Sequence, residues 1–108
     1  MAPLTHSIAV IEDNTDLNGI LVHAIRSSGF VCDGFASVEA FARSGQTPQI
    51  FLLDLNLPGE DGLSFARRLR SCRPAVGIVM LTARTEMEQR KHGYDSGADL
   101  YITKPVVF

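Results

Sequence analysis

A chain of 108 residues can bury one core but is too short for two, so a single domain is expected. A formal net charge of −2, with no extended basic run, argues against nucleic-acid binding by this chain alone. No apolar stretch is long enough to cross a membrane, and Cys32 and Cys72 have neither paired nor metal spacing, so they read as reduced, half-buried thiols of a cytoplasmic protein.

Met1 to Ser7 reads as a loose tail carrying one imidazole, His6. Ile8–Ile11 is a first buried strand, and it runs directly into two acids, Glu12 and Asp13. Asn14, Thr15 and Asp16 then supply the polar start of a helix whose apolar face is predicted as Leu17, Ile20, Leu21 and Ala24, with Gly29 as its stop and His23 on its surface. Phe30 to Gly34 reads as a weaker strand at a sheet edge, and Ser37 as the cap of a short helix carrying Val38, Phe41 and Ala42. After a turn over Ser44–Pro48, Ile50-Phe51-Leu52-Leu53 is a strand suited to burial on both faces. It stops on Asp54, and Pro58, Gly59 and Gly62 mark the loop beyond it. Taken alone, Asp54 reads as a plain strand end or a cap of the next helix before it reads as a functional carboxylate; what favours function lies elsewhere in the chain.

Gly62, Phe65, Ala66 and Leu69 trace the face of a third helix closed by Pro74. Its arginines, Arg67, Arg68 and Arg70, with Arg73 beyond, have the spacing of a solvated face rather than a phosphate track. Val76–Leu81 is a fourth strand ending at Thr82-Ala83, and Glu86–Ser96 is a polar fourth helix stopped by Gly97. Leu100–Thr103 is a fifth strand, followed by Lys104 and Pro105 with an expected cis peptide between them. Strand and helix alternate with short connections, which predicts a doubly wound α/β domain with an all-parallel five-stranded sheet.

In such a sheet, chemistry collects beyond the carboxyl ends of the strands. There the chain places Glu12 and Asp13, then Asp54, Thr82 and Lys104: three carboxylates, one hydroxyl and one ammonium. Two carboxylates about 5 Å apart repel by roughly 3 kcal/mol at an effective dielectric of about 20. One lysine cannot balance three such groups, and hard oxygen ligands around an open site favour Mg²⁺. A carboxylate beside Mg²⁺ and a lysine, with a hydroxyl nearby, is equipped to attack a phosphoryl group.

From Ile8 to Pro105 the chain resembles the receiver domains of two-component response regulators. The resemblance rests on Ile11-Glu12-Asp13-Asn14, Leu53-Asp54-Leu55-Asn56-Leu57-Pro58-Gly59 with Asp61-Gly62, Leu81-Thr82-Ala83, and Gly97-Ala98-Asp99 through Lys104-Pro105. It implies a flavodoxin-like strand order 2-1-3-4-5 and phosphorylation of Asp54 by a sensor histidine kinase. It further implies that Mg²⁺ is held by Glu12 (through water), Asp13, Asp54 and the carbonyl of Asn56. Thr82 and Lys104 would contact the phosphoryl group, and Tyr101 would change rotamer on activation. Leu81-Thr82-Ala83-Arg84 and Tyr101–Pro105 look most like regulators carrying a winged-helix DNA-binding domain, so DNA contact would come through an output domain outside this chain.

Two departures from the family pattern stand out. Leu100 takes the place of an acid that commonly serves a charged dimer face, and the chain reaches Phe108 before the family's usual fifth helix. Residues 1–108 therefore read as a receiver domain truncated before that helix. It is expected to self-associate through the uncovered sheet face, with Val106, Val107 and Phe108 inserted into a partner, or to be marginally folded. Other classes fit less well. An aspartyl-phosphate phosphohydrolase usually carries a second acid where Asn56 stands, and a flavodoxin-like carrier would have its phosphate repelled by Glu12 and Asp13. A degenerate receiver used only for docking would not need Asp54, Thr82 and Lys104 together.

Overall fold

The computed structural model describes residues 6–83 and 97–104. The elements run β1 (Ser7–Ile11), α1 (Thr15–Ser27), β2 (Val31–Phe35), α2 (Val38–Ser44), β3 (Ile50–Asp54), α3 (Gly62–Cys72), β4 (Gly77–Thr82) and β5 (Leu100–Thr103). All neighbouring strands pair in parallel, in the order β2-β1-β3-β4-β5. The expected helix over Glu86–Ser96, the peptide to Pro105 and the terminal Val106–Phe108 lie outside the described residues.

Strand alternation divides the core into two layers. Ala9, Ile11, Phe51, Leu53, Ile78 and Met80 face α2 and α3, where Val38, Phe41, Phe65, Ala66 and Leu69 cover them. Phe35, Phe41, Phe51 and Phe65 meet there edge to face, with centroids 5.1–5.9 Å apart. The opposite face carries Val10, Leu81 and Cys32 under Leu21 and Val22 of α1. Among the described residues that second face is the thinner one. Ile50 and Leu52 are only half-buried on it, so the central strand is fully buried on one side rather than both.

Each described helix starts on a side-chain cap. Asn14 Oδ1 accepts from Leu17 N, Ser37 Oγ from Ala40 N, and Asp61 Oδ1 from Ser64 N. Helix α1 differs from expectation in its apolar face. Positions 17, 20, 21, 24 and positions 18, 21, 22, 25 both satisfy helical spacing. Contact with Val10 and Cys32 draws on both sets: Leu17 and Leu21 pack there as expected, Val22 and Ile25 join them, and Ile20 alone is turned out, 53% exposed.

Three surface assignments also change. Arg70 is only partly solvated: its guanidinium donates to the carbonyls of Gly97, Pro74 and Val76 and pairs with Asp99 at 2.8 Å. Asp99 also accepts from Ile78 N, and that bond, with Arg70, holds its carboxyl below the usual range. Cys32 is buried, which pushes its thiol up, whereas Cys72 is exposed, so neither is half-buried. His6 is not alone, since its Nδ1 lies 2.9 Å from Gln49 Oε1.

Gly62 is buried at the start of α3 and sets how closely that helix approaches β3. Its amide donates to Leu55 O, and a Cβ there would overlap the carbonyl oxygen of Asp54. Only glycine lets α3 begin this close to the end of β3. Gly62→Ala is expected to destabilise the domain by about 2 kcal/mol in urea unfolding, through forced displacement of α3. Gly19→Ala, on α1 with nothing within 4 Å of the added carbon, is expected to stabilise by about 0.5–1 kcal/mol. A Gly62→Ala protein as stable as its parent would show that this close approach is not required.

Candidate functional site

The strand order reverses between β1 and β3, and the crevice beyond their carboxyl ends is where an open α/β sheet presents its chemistry. Glu12 follows β1 directly, Asp54 closes β3, Thr82 closes β4 and Lys104 follows β5. The backbone registers these ends against one another. Glu12 N donates to Phe35 O, Leu55 N to Leu81 O and Lys104 N to Thr82 O, all within 2.8–3.0 Å.

Glu12 and Asp54 are almost wholly buried, 1% and 5% exposed, and Asp13 beside them is exposed. Oxygens of the three carboxylates lie within 4.8 Å of one another. Lys104 reaches across the crevice: its Nζ is 2.9 Å from Asp54 Oδ2 and 2.8 Å from Glu12 Oε1. Burial alone would push this ammonium down, but the close contacts and charges of Glu12 and Asp54 outweigh it and hold the lysine above its ordinary value. Lys104 is therefore a cation at neutral pH.

Backbone amides engage the other oxygens of the two buried acids. Asp54 Oδ1 accepts from the amide of Asn56, and Glu12 Oε2 from the amide of Asn14. Thr82, with no exposed surface, donates its hydroxyl to Ala83 O. Tyr101 is half-buried on β5 opposite Met80 and packs against the core on the α2–α3 side. The sequence-predicted set thus divides: Glu12, Asp13, Asp54 and Lys104 converge directly, Asn56 joins through its backbone, and Thr82 and Tyr101 line neighbouring strands.

The acid cluster fits a divalent cation. Glu12 Oε1 is buried and, although close to Lys104, stands outside hydrogen-bonding angles, so it retains an unshared lone pair. Three carboxylates against one ammonium leave the crevice negative. The donors are hard oxygens, and exposed Asp13 opens the cluster to water, as suits Mg²⁺, which keeps several waters.

Two contributors were not singled out by sequence reasoning. Asn18 donates its side-chain amide to the carbonyls of Glu12 and Phe35, at 2.9 and 3.0 Å. Its signal was an amide at the head of the apolar face 18, 21, 22, 25. Glu39 accepts from Glu60 N, and Glu60 in turn grips Arg68 at 2.7 Å, which tethers the loop carrying Asn56 to α2 and α3. That tether has no local sequence signal.

A family model described as "Response regulator receiver domain" matches residues 8–108. The transcriptional regulatory protein BasR of Escherichia coli is 35% identical over 100 residues, covering 91% of this chain and 45% of BasR. The sensory transduction protein RegX3 of Mycobacterium tuberculosis is 39% identical over 103 residues, 92% of this chain and 44% of RegX3. The fold superposes on DrrB, an OmpR/PhoB homologue from Thermotoga maritima, with a TM-score of 0.85 at 26% identity, covering 95% of this chain and 47% of that one. The chain spans less than half the length of the curated relatives it matches. This chain belongs to the response regulator receiver domains of two-component signalling.

Proposed function

We propose that Asp54 is the phosphoacceptor of this receiver domain and that Glu12, Asp13, Asp54 and the carbonyl of Asn56 hold the Mg²⁺ it uses. The observation that carries the reading is Lys104 Nζ set between Glu12 and Asp54, with Asp13 close by. One Asp54 oxygen attacks the phosphorus of a phosphohistidine on a sensor kinase. The new O–P bond forms as the P–N bond breaks; the electron pair stays on that nitrogen, and the imidazole leaves neutral because its other ring nitrogen already carries a proton. Bound Mg²⁺ would offset charge on the transferred oxygens. Lys104 stands at the same place with a second positive charge, and the Thr82 hydroxyl turns from Ala83 O to donate to a phosphoryl oxygen. Tyr101, on the strand beside Thr82, repacks in response.

The domain is a signalling acceptor rather than a classical enzyme, and in this reading it assists both its own phosphorylation and the hydrolysis that reverses it. Its output is transcriptional, through a DNA-binding domain outside this chain, in line with the names of its relatives. The setting is cytoplasmic, and no described helix is long and apolar enough to cross a membrane. Self-association belongs to the same reading, through the sheet face on which Ile50 and Leu52 are only half-buried.

Incubation with acetyl phosphate and Mg²⁺ should add one base-labile phosphoryl group. Asp54→Asn should abolish it. Asp61→Asn should retain it, because Asn still caps α3. Equal labelling of both variants would sink the assignment.

Mg²⁺ at about 100 times its dissociation constant should stabilise the domain by roughly 2.7 kcal/mol through linkage. Asp13→Asn should raise the metal-free melting temperature and remove the metal-dependent increase. No thermal response to Mg²⁺ in the parent would contradict the metal site.

Lys104→Met keeps the apolar stem but leaves two buried carboxylates uncompensated. In the absence of metal it should cost about 3 kcal/mol. The cost should shrink when Asp54→Asn is added, and undiminished loss in the double variant would mean that the pair is not coupled.

A further inference from the structure

The amide of Asn18 lies outside the carboxylate cluster, yet it controls the backbone from which two of its members project. Both acceptors of Asn18 Nδ2, Glu12 O and Phe35 O, are carbonyls, so the side-chain nitrogen must face them. Phe35 O also accepts from Glu12 N. Both backbone groups of Glu12 are therefore engaged, its N–H by β2 and its C=O by α1. On the far side of Asp13, the amide of Asn14 is held by Glu12 Oε2. Asp13 itself is exposed, and its carboxylate accepts no hydrogen bond from the described residues, so the peptide that carries it is what limits where the side chain can reach.

A second feature protects this arrangement. Gly34 on β2 faces the Asn18 amide, and a Cβ at residue 34 would overlap Asn18 Oδ1. The nearest other side-chain atom, Val22 Cγ2, is 3.0 Å away. The space that admits the amide thus depends on a residue that touches no ligand atom.

We propose that Asn18 is a positioning residue of the cation site: it locks the Glu12–Asp13 peptide so that the Asp13 carboxylate stays within reach of a cation shared with Glu12 and Asp54. The inference rests on the reading of Glu12, Asp13 and Asp54 as Mg²⁺ ligands. A cluster whose backbone is already fixed loses less freedom on binding, and partners outside the ligand shell commonly govern metal affinity by 10–100-fold.

The test is calorimetric titration of Mg²⁺ into the 108-residue chain and three variants: Asn18→Ala, Gly34→Ala and the double substitution. Each single variant is expected to weaken Mg²⁺ binding about tenfold. The double should be no weaker than Asn18→Ala, because the methyl added at position 34 then has no amide to displace. In labelling by acetyl phosphate, the half-saturating Mg²⁺ concentration should rise in step while the plateau rate is retained. A purely structural amide would lower the melting temperature and leave the Mg²⁺ affinity unchanged, and that result would overturn the proposal. So would additive losses in the double variant. Should Asn18→Ala fold poorly, Gly34→Ala carries the same prediction with the amide still present. A parent chain that takes up no Mg²⁺ would instead overturn the reading on which the proposal rests.

Discussion

The ammonium of Lys104, held between the buried carboxylates of Glu12 and Asp54, is the contact around which the carboxyl end of the sheet is arranged. It joins the ends of β1, β3 and β5, and the parallel order β2-β1-β3-β4-β5 is what brings those ends to one crevice. A carboxylate as buried as Glu12 would ordinarily be expensive to ionise. Here the lysine offsets part of that cost, and the amides of Asn14 and Asn56 satisfy one oxygen each of Glu12 and Asp54. Asp13 then adds charge that the lysine does not cover. The crevice thus keeps a net negative charge with its lysine in place.

Support for this crevice comes from both layers of the core. Gly62 lets α3 start against the Asp54 carbonyl, and the four phenylalanine rings beneath β1 and β3 hold α2 and α3 to the sheet. The Glu39–Glu60–Arg68 chain lies on the surface, where an ion pair contributes little net stability. Its effect is to restrict the loop between Asp54 and α3. At the opposite end of the sheet, Arg70 and Asp99 fasten the entry to β5 against the start of β4. That bolt fixes the register from which Lys104 emerges four residues after Leu100 begins the strand.

Much of this was legible in the residues because strands and their ends carry local signals. Short apolar runs that stop on Glu12, Asp54 and Thr82 mark buried parallel strands, and lining up their ends assembles most of the site before any coordinate is known. The caps of α1 and α2 were legible for the same reason, since Asn14 and Ser37 act within three residues of themselves. What escaped depends on partners distant in the chain. The apolar face of α1 is wider than its first-turn spacing suggests: Leu17 and Leu21 lie on it as expected, but only contact with Val10 and Cys32 brings in Val22 and Ile25 and turns Ile20 out. Arg70 looked like one more solvated arginine because three of its four partners are backbone carbonyls, which have no sequence signature. Asn18 was hidden likewise, behind two carbonyl acceptors at neighbouring strand ends.

Of the three clustered carboxylates, Asp54 is the one proposed to accept the phosphoryl group. Borohydride reduces an acyl phosphate but spares free carboxylates, so it marks the acceptor chemically in the unmutated chain. Treatment after exposure to acetyl phosphate and Mg²⁺, followed by peptide mapping by mass spectrometry, reads the position directly. Reduction is expected at residue 54 alone, dependent on Mg²⁺ during labelling. Reduction at Glu12, Asp13 or Asp61, or labelling indifferent to Mg²⁺, would contradict that assignment.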